Sequence, residues 1–475
     1  MDSKTRSIKK YTFKKPDLTR LRELASHVTY PRDFREHHGR LLDLLKVKVE
    51  DRILETLVQF YDPICHCFTF PDYQLVPTLE EYSFWIGLPV SEGRPFDSLE
   101  PSPKTATIAE ALHLKPSDLV HPHFTIKNNL QGLTAKFLYQ KASDFAKAKK
   151  TNAFESVFTL LIYGLFLFPN MDNFVDLNAI KIFLAKNPVP TLLANTYHSI
   201  HHRNIQEGGL IVCCARLLYR WYASHLPKSV FSKENTGKTS WSERIMPLTP
   251  ADIVWVHGGT NTEGIIGSCG EFENVPLIGT CGGITYNPTL AMLQYGYPMK
   301  GRPDSLSLSN EFYLNKNDHT SLRMRFVQAW HSIRKFDGIQ LGRKQSFAHE
   351  SYTQWVIDRA TTFGMPYTLP RFLSSTVPEI PLPLLPQTKE EYQERLAEAE
   401  REIHRWKREY QKKDQDYEII MGLLEQEAYD SQQKDVIIAK LNERIKEKDA
   451  ALDRIPGRKK RRMDLFDGPH SDFED

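Results

Sequence analysis

The stretch LVQFYDPICHCFTFPDYQLVPTLEEYSFWIGLPVSEGRPF, residues 57–96, changes its period twice. Leu57 and Val58 close a run in which Leu41, Leu42, Leu44, Leu45, Val49 and Ile53 mark a helix with a broad apolar face, and Pro63 ends it. Cys65–Tyr73 then mixes aromatics and threonine and is bounded by Pro71 and Asp72, the signature of a short strand or hairpin. After it, Thr78 is placed to accept the N–H of Glu81 while Glu81 reaches back, a capping box that opens a second helix. Leu79, Tyr82 and Ile86 share one face of that helix, and Gly87 before Leu88-Pro89 stops it. Helix, short strand and helix in 40 residues predict a mainly α fold, α+β with a few short strands. Nothing in the stretch asks for chemistry.

Outward from this segment the pattern stays helical. Upstream, Leu18, Leu21, Leu24 and Val28 predict a short amphipathic helix, and residues 1–15 read as a basic, flexible arm. Downstream, 90–105 is a surface loop. Helices are expected at Ala106–Leu114, Leu130–Lys149, 154–168, Phe174–Ala185, Thr191–Ile200 and Gly209–Leu226. The apolar run Ser156–Met171 has 16 residues, short of the roughly 20 that span a bilayer, so it reads as a core helix. The glycines between Gly258 and Gly283 carry no phosphate-loop or dinucleotide spacing and predict irregular packed loops. Helices resume at Leu322–Arg334 and Tyr352–Phe363, and Pro366–Pro386 holds six prolines. The expected divisions are an arm at 1–15, a large helical globular domain at 16–370, a Pro-rich linker at 371–387, a long coiled coil at 388–455 and a tail at 456–475.

The coil rests on alternating four- and three-residue steps from Tyr392, which land on 14 apolar or aromatic residues in 19 positions. Its core would comprise Leu396, Ile403, Trp406, Tyr410, Tyr417, Ile420, Leu424, Ile438, Leu441, Ile445, Leu452 and Ile455. Glu427, Ser431 and Lys434 interrupt the seam in its middle. Flanking pairs Arg395–Glu400, Glu402–Lys407 and Arg444–Asp449 suit a parallel homodimer, Glu409–Asp414 does not, and each contributes little. The blander alternative is one amphipathic helix folded back on the globular domain. Pro456 and Gly457 end the coil, so Arg458, Lys459, Lys460, Arg461 and Arg462 fall in an extended tail that an import receptor can read. Five acids follow them and weaken nonspecific phosphate binding.

Charge is nearly balanced, 62 basic against 59 acidic residues, which argues against a surface shaped throughout for nucleic acid. The basic N-terminus has no apolar stretch behind it, so neither a secretory leader nor a membrane anchor is expected. Six cysteines without paired ligand spacing read as free thiols. His198, His201 and His202 share a helical face but lack companion ligands, and read as surface or cap histidines. Ser268, in GSCG, lacks nucleophile-turn spacing, and Asp252, Glu263, Glu271 and Glu273 form no evident pair. No catalytic, cofactor or metal residue is assigned, and no enzyme is expected.

The order helix, aromatic strand, P-T-L-E and G-L-P-V in 57–96 resembles the plant mobile domain. This family is also called aminotransferase-like and occurs in plant transposable elements and domesticated host proteins. LFPN at 167–170 and LLYRWYASHLP at 217–227 extend the resemblance. VPLIGTCGGITYNPTLAMLQYGYPM at 275–299, AWHSIRK at 329–335 and Tyr352–Arg359 are more similar to a plant-restricted relative of unknown function. Together they cover about residues 20–370. The resemblance implies transposon ancestry and a nuclear role in silencing or genome maintenance, with nucleic acid or chromatin proteins as partners. It supplies no catalytic residue, and no Schiff-base lysine stands in a cofactor pattern. A nuclear scaffold, a transposon-encoded accessory or gag-like protein, and an enzyme with its site in the glycine-rich region 258–283 are the competing functions.

Overall fold

The computed structural model describes residues 5–90, 95–97, 101–232, 239–260, 264–303 and 320–368, together with 441, 443 and 444. The chain divides into two units, Met1–Arg371 and Phe372–Asp475. Of the expected coil only Leu441, Glu443 and Arg444 are described, as helical residues, and Leu441 is 51% exposed. The other coil-core positions and Arg458–Arg462 lie outside the described residues.

The first unit is α+β, with helices dominating and strands of two to five residues. At its centre runs the helix Val189–Ile205, buried almost all round although it carries Thr191, Asn195, Thr196, His198, His201 and Asn204. Buried polar groups need partners, and Asn195, Thr196 and Asn204 find them on remote elements. Tyr82 donates to Thr196 at 3.1 Å, Asn195 Oδ1 accepts the Thr280 N–H at 2.8 Å, and Asn204 donates to the Tyr11 hydroxyl at 3.4 Å. The nearby Tyr197 hydroxyl donates to Pro77 O at 2.7 Å.

The long apolar run forms the core helix Thr151–Ile162, which passes into a π turn, Tyr163–Leu167. That turn sets Gly164 against Val175, where any side chain would collide with the valine methyls. The helix packs on Ala135–Lys147. Among the described residues no helix is long and apolar enough to cross a membrane.

Several segments differ from their sequence reading. Residues 1–15 are no flexible arm where they are described. Lys10–Phe13 is a strand paired in parallel with Gly208–Ile211, from Lys10 opposite Gly208 to Phe13 opposite Ile211. Tyr11 and Phe13 alternate inward and are buried, and Gly208 has no side chain to obstruct the Lys10 carbonyl. The cations are engaged too: Lys9 Nζ donates to Asn204 O, and Lys14 and Lys15 pair with Asp172 and Asp51.

Three expected helices begin instead with strands. Leu130–Thr134 precedes Ala135–Lys147, Phe174–Asp176 precedes Leu177–Ala185, and Gly208–Ile211 precedes Ala215–His225. Leu130–Thr134 lies between Phe124–Lys127 and Phe174–Asp176 in an antiparallel sheet. Its hairpin with Phe124–Lys127 turns at Asn128-Asn129, both at positive φ as a tight two-residue loop demands. The single helix expected over 39–63 is two, Leu41–Lys46 and Asp51–Leu57. The glycine-rich region is also more regular than irregular loops. It contains Ile266–Cys269, paired with Ile333–Lys335, and the hairpin Val275–Ile278/Gly283–Tyr286.

Because Phe13 is buried in the strand that closes the N-terminus onto the fold, Phe13→Ala should destabilise the protein by about 3 kcal/mol. Chemical denaturation measures this. An unchanged midpoint would return residues 1–15 to the status of a loose arm.

Candidate functional site

The chemistry-bearing side chains of the first unit gather around the helix Leu79–Ile86. Thr78 caps it, accepting the Glu81 N–H at 3.2 Å. The Glu81 carboxylate, 1% exposed, does not accept the Thr78 backbone N–H of the expected capping box and turns inward. It accepts from Trp221 Nε1 at 2.9 Å, Gln294 Nε2 at 2.9 Å and Thr78 Oγ1 at 3.1 Å. His225, 0% exposed, brings Nε2 within 3.0 Å of Glu81 Oε1, an ion-pair distance but outside the direction of a well-aligned hydrogen bond. His225 Nδ1 faces Val254 O at 2.7 Å and so carries a hydrogen; pairing through Nε2 as well requires both ring hydrogens. Burial pushes the Glu81 carboxyl up, but His225, Gln294 and Trp221 outweigh it and leave the group below its usual value. Its half-buried neighbour Glu80 accepts the Ile266 N–H at 3.1 Å and the Tyr295 hydroxyl at 2.9 Å, and burial pushes it up.

A second strut joins the first strand of the 61–75 sheet to the last described helix. Arg359 grips buried Asp62 with two hydrogen bonds of 2.6 Å, and Asp62 also accepts the Ile64 N–H at 3.0 Å. The Arg359 guanidinium is raised further by this partner.

Histidines lie close by. His66 and His201 meet edge to face with ring centroids 4.8 Å apart, and Tyr61 Oη is 3.2 Å from His201 Nδ1. His198 and His201 are therefore core residues and not the surface or cap histidines expected, because their helix has almost no solvent face. Burial holds His66 and His198 down to about 4; burial with the neighbouring imidazoles holds His201 down to about 3. Among the described residues, no three of His, Cys, Asp and Glu converge as metal ligands.

The arrangement is poor in reactive groups. Burial pushes the Cys67, Cys213, Cys214 and Cys269 thiols up, away from the nucleophilic thiolate. Ser224 lies 2.9 Å from His257 Nε2, yet its one hydroxyl hydrogen goes to Trp221 O at 2.5 Å. The imidazole must then donate to Ser224, the reverse of activating it. Ser268 is a strand residue opposite Arg334. In the glycine-rich region, a side chain at Gly267 would meet the Phe336 ring and one at Gly279 would meet Asn195. These glycines serve close packing. Space for a ligand lies elsewhere, in two cavities of about 790 and 800 Å³. The first runs beside Lys9, Arg52, Glu55, Trp241 and Arg244; the second lies among four helices.

The family model for a domain of unknown function, DUF7745, matches residues 21–361. The chain belongs to the DUF7745 family. No curated protein and no solved structure matches it. The match spans the Glu81 centre, the Asp62–Arg359 strut and both strands of the glycine-rich hairpin.

The buried histidines make the stability of the DUF7745 domain pH-dependent. His66, His198 and His201 bind protons in the unfolded chain below about pH 6.5, whereas the fold resists them down to about 4 or lower. Their contribution is therefore complete above pH 6.5 and is lost as pH falls toward 4. His201→Asn should reduce the slope of unfolding free energy between pH 6 and 5 by about 1.4 kcal/mol per pH unit. Denaturation at several pH values measures it, and an unchanged slope would mean that His201 protonates freely in the fold.

Proposed function

We propose that the DUF7745 domain is a non-enzymatic interaction module, paired by a coiled coil over 388–455 and carried to the nucleus by Arg458–Arg462. The observation that supports it most is the use of the acid–base groups. Glu81–His225 and Asp62–Arg359 join elements far apart in the chain and line neither large cavity. Groups held in this way position helices and strands, and burial holds the Cys67, Cys213, Cys214 and Cys269 thiols in their unreactive form. The resemblance to the plant mobile domain supports nuclear work of transposon ancestry. An accessory or gag-like role would need free cations for nucleic acid, and Lys9, Lys14 and Lys15 are engaged in the fold. An enzyme built on 258–283 would need an open cradle, where Gly267 and Gly279 abut side chains.

The full chain should sediment as a dimer at micromolar concentration, and Leu441→Asp with Ile445→Asp should make it a monomer. A fluorescent fusion should accumulate in nuclei and lose that enrichment when Arg458–Arg462 are replaced by alanine. A monomeric wild-type chain removes the pairing, and undiminished enrichment removes the targeting.

A further inference from the structure

The second cavity lies among the helices Pro31–His38, Thr105–Ala111, Thr151–Ile162 and Leu177–Ala185, and its volume of about 800 Å³ suits a small organic ligand. One wall is unusual for a core helix. Asn152, Glu155, Ser156 and Thr159 recur at three- and four-residue steps, so the Thr151–Ile162 helix turns a polar stripe toward the space. Glu155 is 9% exposed and Thr159 2% exposed. Thr159 Oγ1 has no hydrogen-bond partner among the described residues, and leaving such a group unsatisfied costs about 1–3 kcal/mol. Glu155 likewise pairs with no cation within 4 Å among the described residues. The fold thus holds an acid and a hydroxyl, one helical turn apart, facing a cavity that could bring them a donor.

The rest of the lining restricts what that donor can be. Asp33 and Glu110 add carboxylates, Lys186 adds a cation and no arginine is present, a poor set for phosphate. Burial, with His37 and Lys186 close by, holds His38 down to about 4, so it offers a neutral face at pH 7. Burial also pushes the Glu155 carboxyl up, His37 drawing it back and Asp33 pushing it further. Tyr30, Leu88, Tyr163, Phe183 and Leu184 supply aromatic and apolar wall. A cation on an apolar stem meets both demands, since it neutralises Glu155, can donate to Thr159 and rests its body on the rings.

We infer that this cavity binds a small primary amine with an aliphatic or aromatic body, its ammonium held by Glu155 and Thr159. Nothing in this requires the chain to dimerise or enter the nucleus. An ammonium stabilises the ionised form of Glu155, so affinity falls as the carboxyl is protonated at lower pH.

Calorimetry on the full chain with butylamine, benzylamine and 2-phenylethylamine tests the inference, with phenylacetate and ethylbenzene as anionic and neutral controls. At least one amine should bind at pH 7 while phenylacetate does not. Glu155→Gln should weaken amine binding at least tenfold. Thr159→Val, which keeps the side-chain shape, should weaken it several-fold and serves if the first variant does not fold. Amines that fail to bind at millimolar concentration, bind no better than ethylbenzene, or bind Thr159→Val and Glu155→Gln as they bind the wild type would overturn it.

Discussion

A carboxylate taken out of water must have its lone pairs occupied, and the places where Glu81 finds donors determine which elements of this fold can meet. Its partners come from the helix Ala215–His225, from Gln294 near the end of the Met292–Tyr295 turn, and from its own cap. Gln294 returns the link by donating to Val76 O and accepting the Val76 N–H, both at 2.8 Å. Glu80 carries the same logic to Ile266 and Tyr295, so two adjacent acids in one helical turn hold the glycine-rich hairpin region against the helical body. Their position in the first turn of the helix, where the backbone N–H groups point toward them, favours their negative charge. Removing one partner of such a centre is far more costly than its modest share of the area suggests, because the remaining polar groups stay buried.

The same residues show how far the sequence could be read. Thr78 and Glu81 were legible as a cap, and Thr78 does accept the Glu81 N–H. The destination of the Glu81 carboxylate was not, since Trp221, His225 and Gln294 lie 140 or more residues away and no local pattern joins them. The helix at 79–86 keeps its expected bounds, and the expected Tyr352–Phe363 starts two residues earlier, at Glu350. The short strand expected within Cys65–Tyr73 is there, as Cys67–Thr69, whereas those before the helices Ala135–Lys147 and Leu177–Ala185 escaped because their apolar residues merge with the helical spacing that follows, as at Leu133 before Ala135 and Val175 before Leu177. KYTF at 10–13 did alternate, but the surrounding lysines masked it. His198 and His201 read as surface residues because polar side chains normally mark a helix's wet face; the Val189–Ile205 helix has almost none.

This economy of partners supports the proposed reading of the domain as an interaction module. Where acid, base and thiol are tied to neighbouring elements, a domain gains a rigid frame and presents surface and cavity for recognition. The core helix Thr151–Ile162 departs from this pattern, since its Glu155 and Thr159 are buried and not hydrogen-bonded to another element among the described residues. The proposed recognition module holding a small cationic ligand accommodates both features, the wired centre and the unwired stripe.

The claim that Glu81 organises the fold, and does more than cap its helix, is tested most directly by comparing Glu81→Gln with Thr78→Ala in equilibrium denaturation. Loss of an N-cap costs about 1 kcal/mol. Glu81→Gln removes a buried carboxylate that accepts from Trp221, Gln294 and Thr78, and removing one side of a buried charged centre costs about 3–5 kcal/mol, the loss expected. Equal losses near 1 kcal/mol for the two variants would reduce Glu81 to a member of a cap and contradict the account.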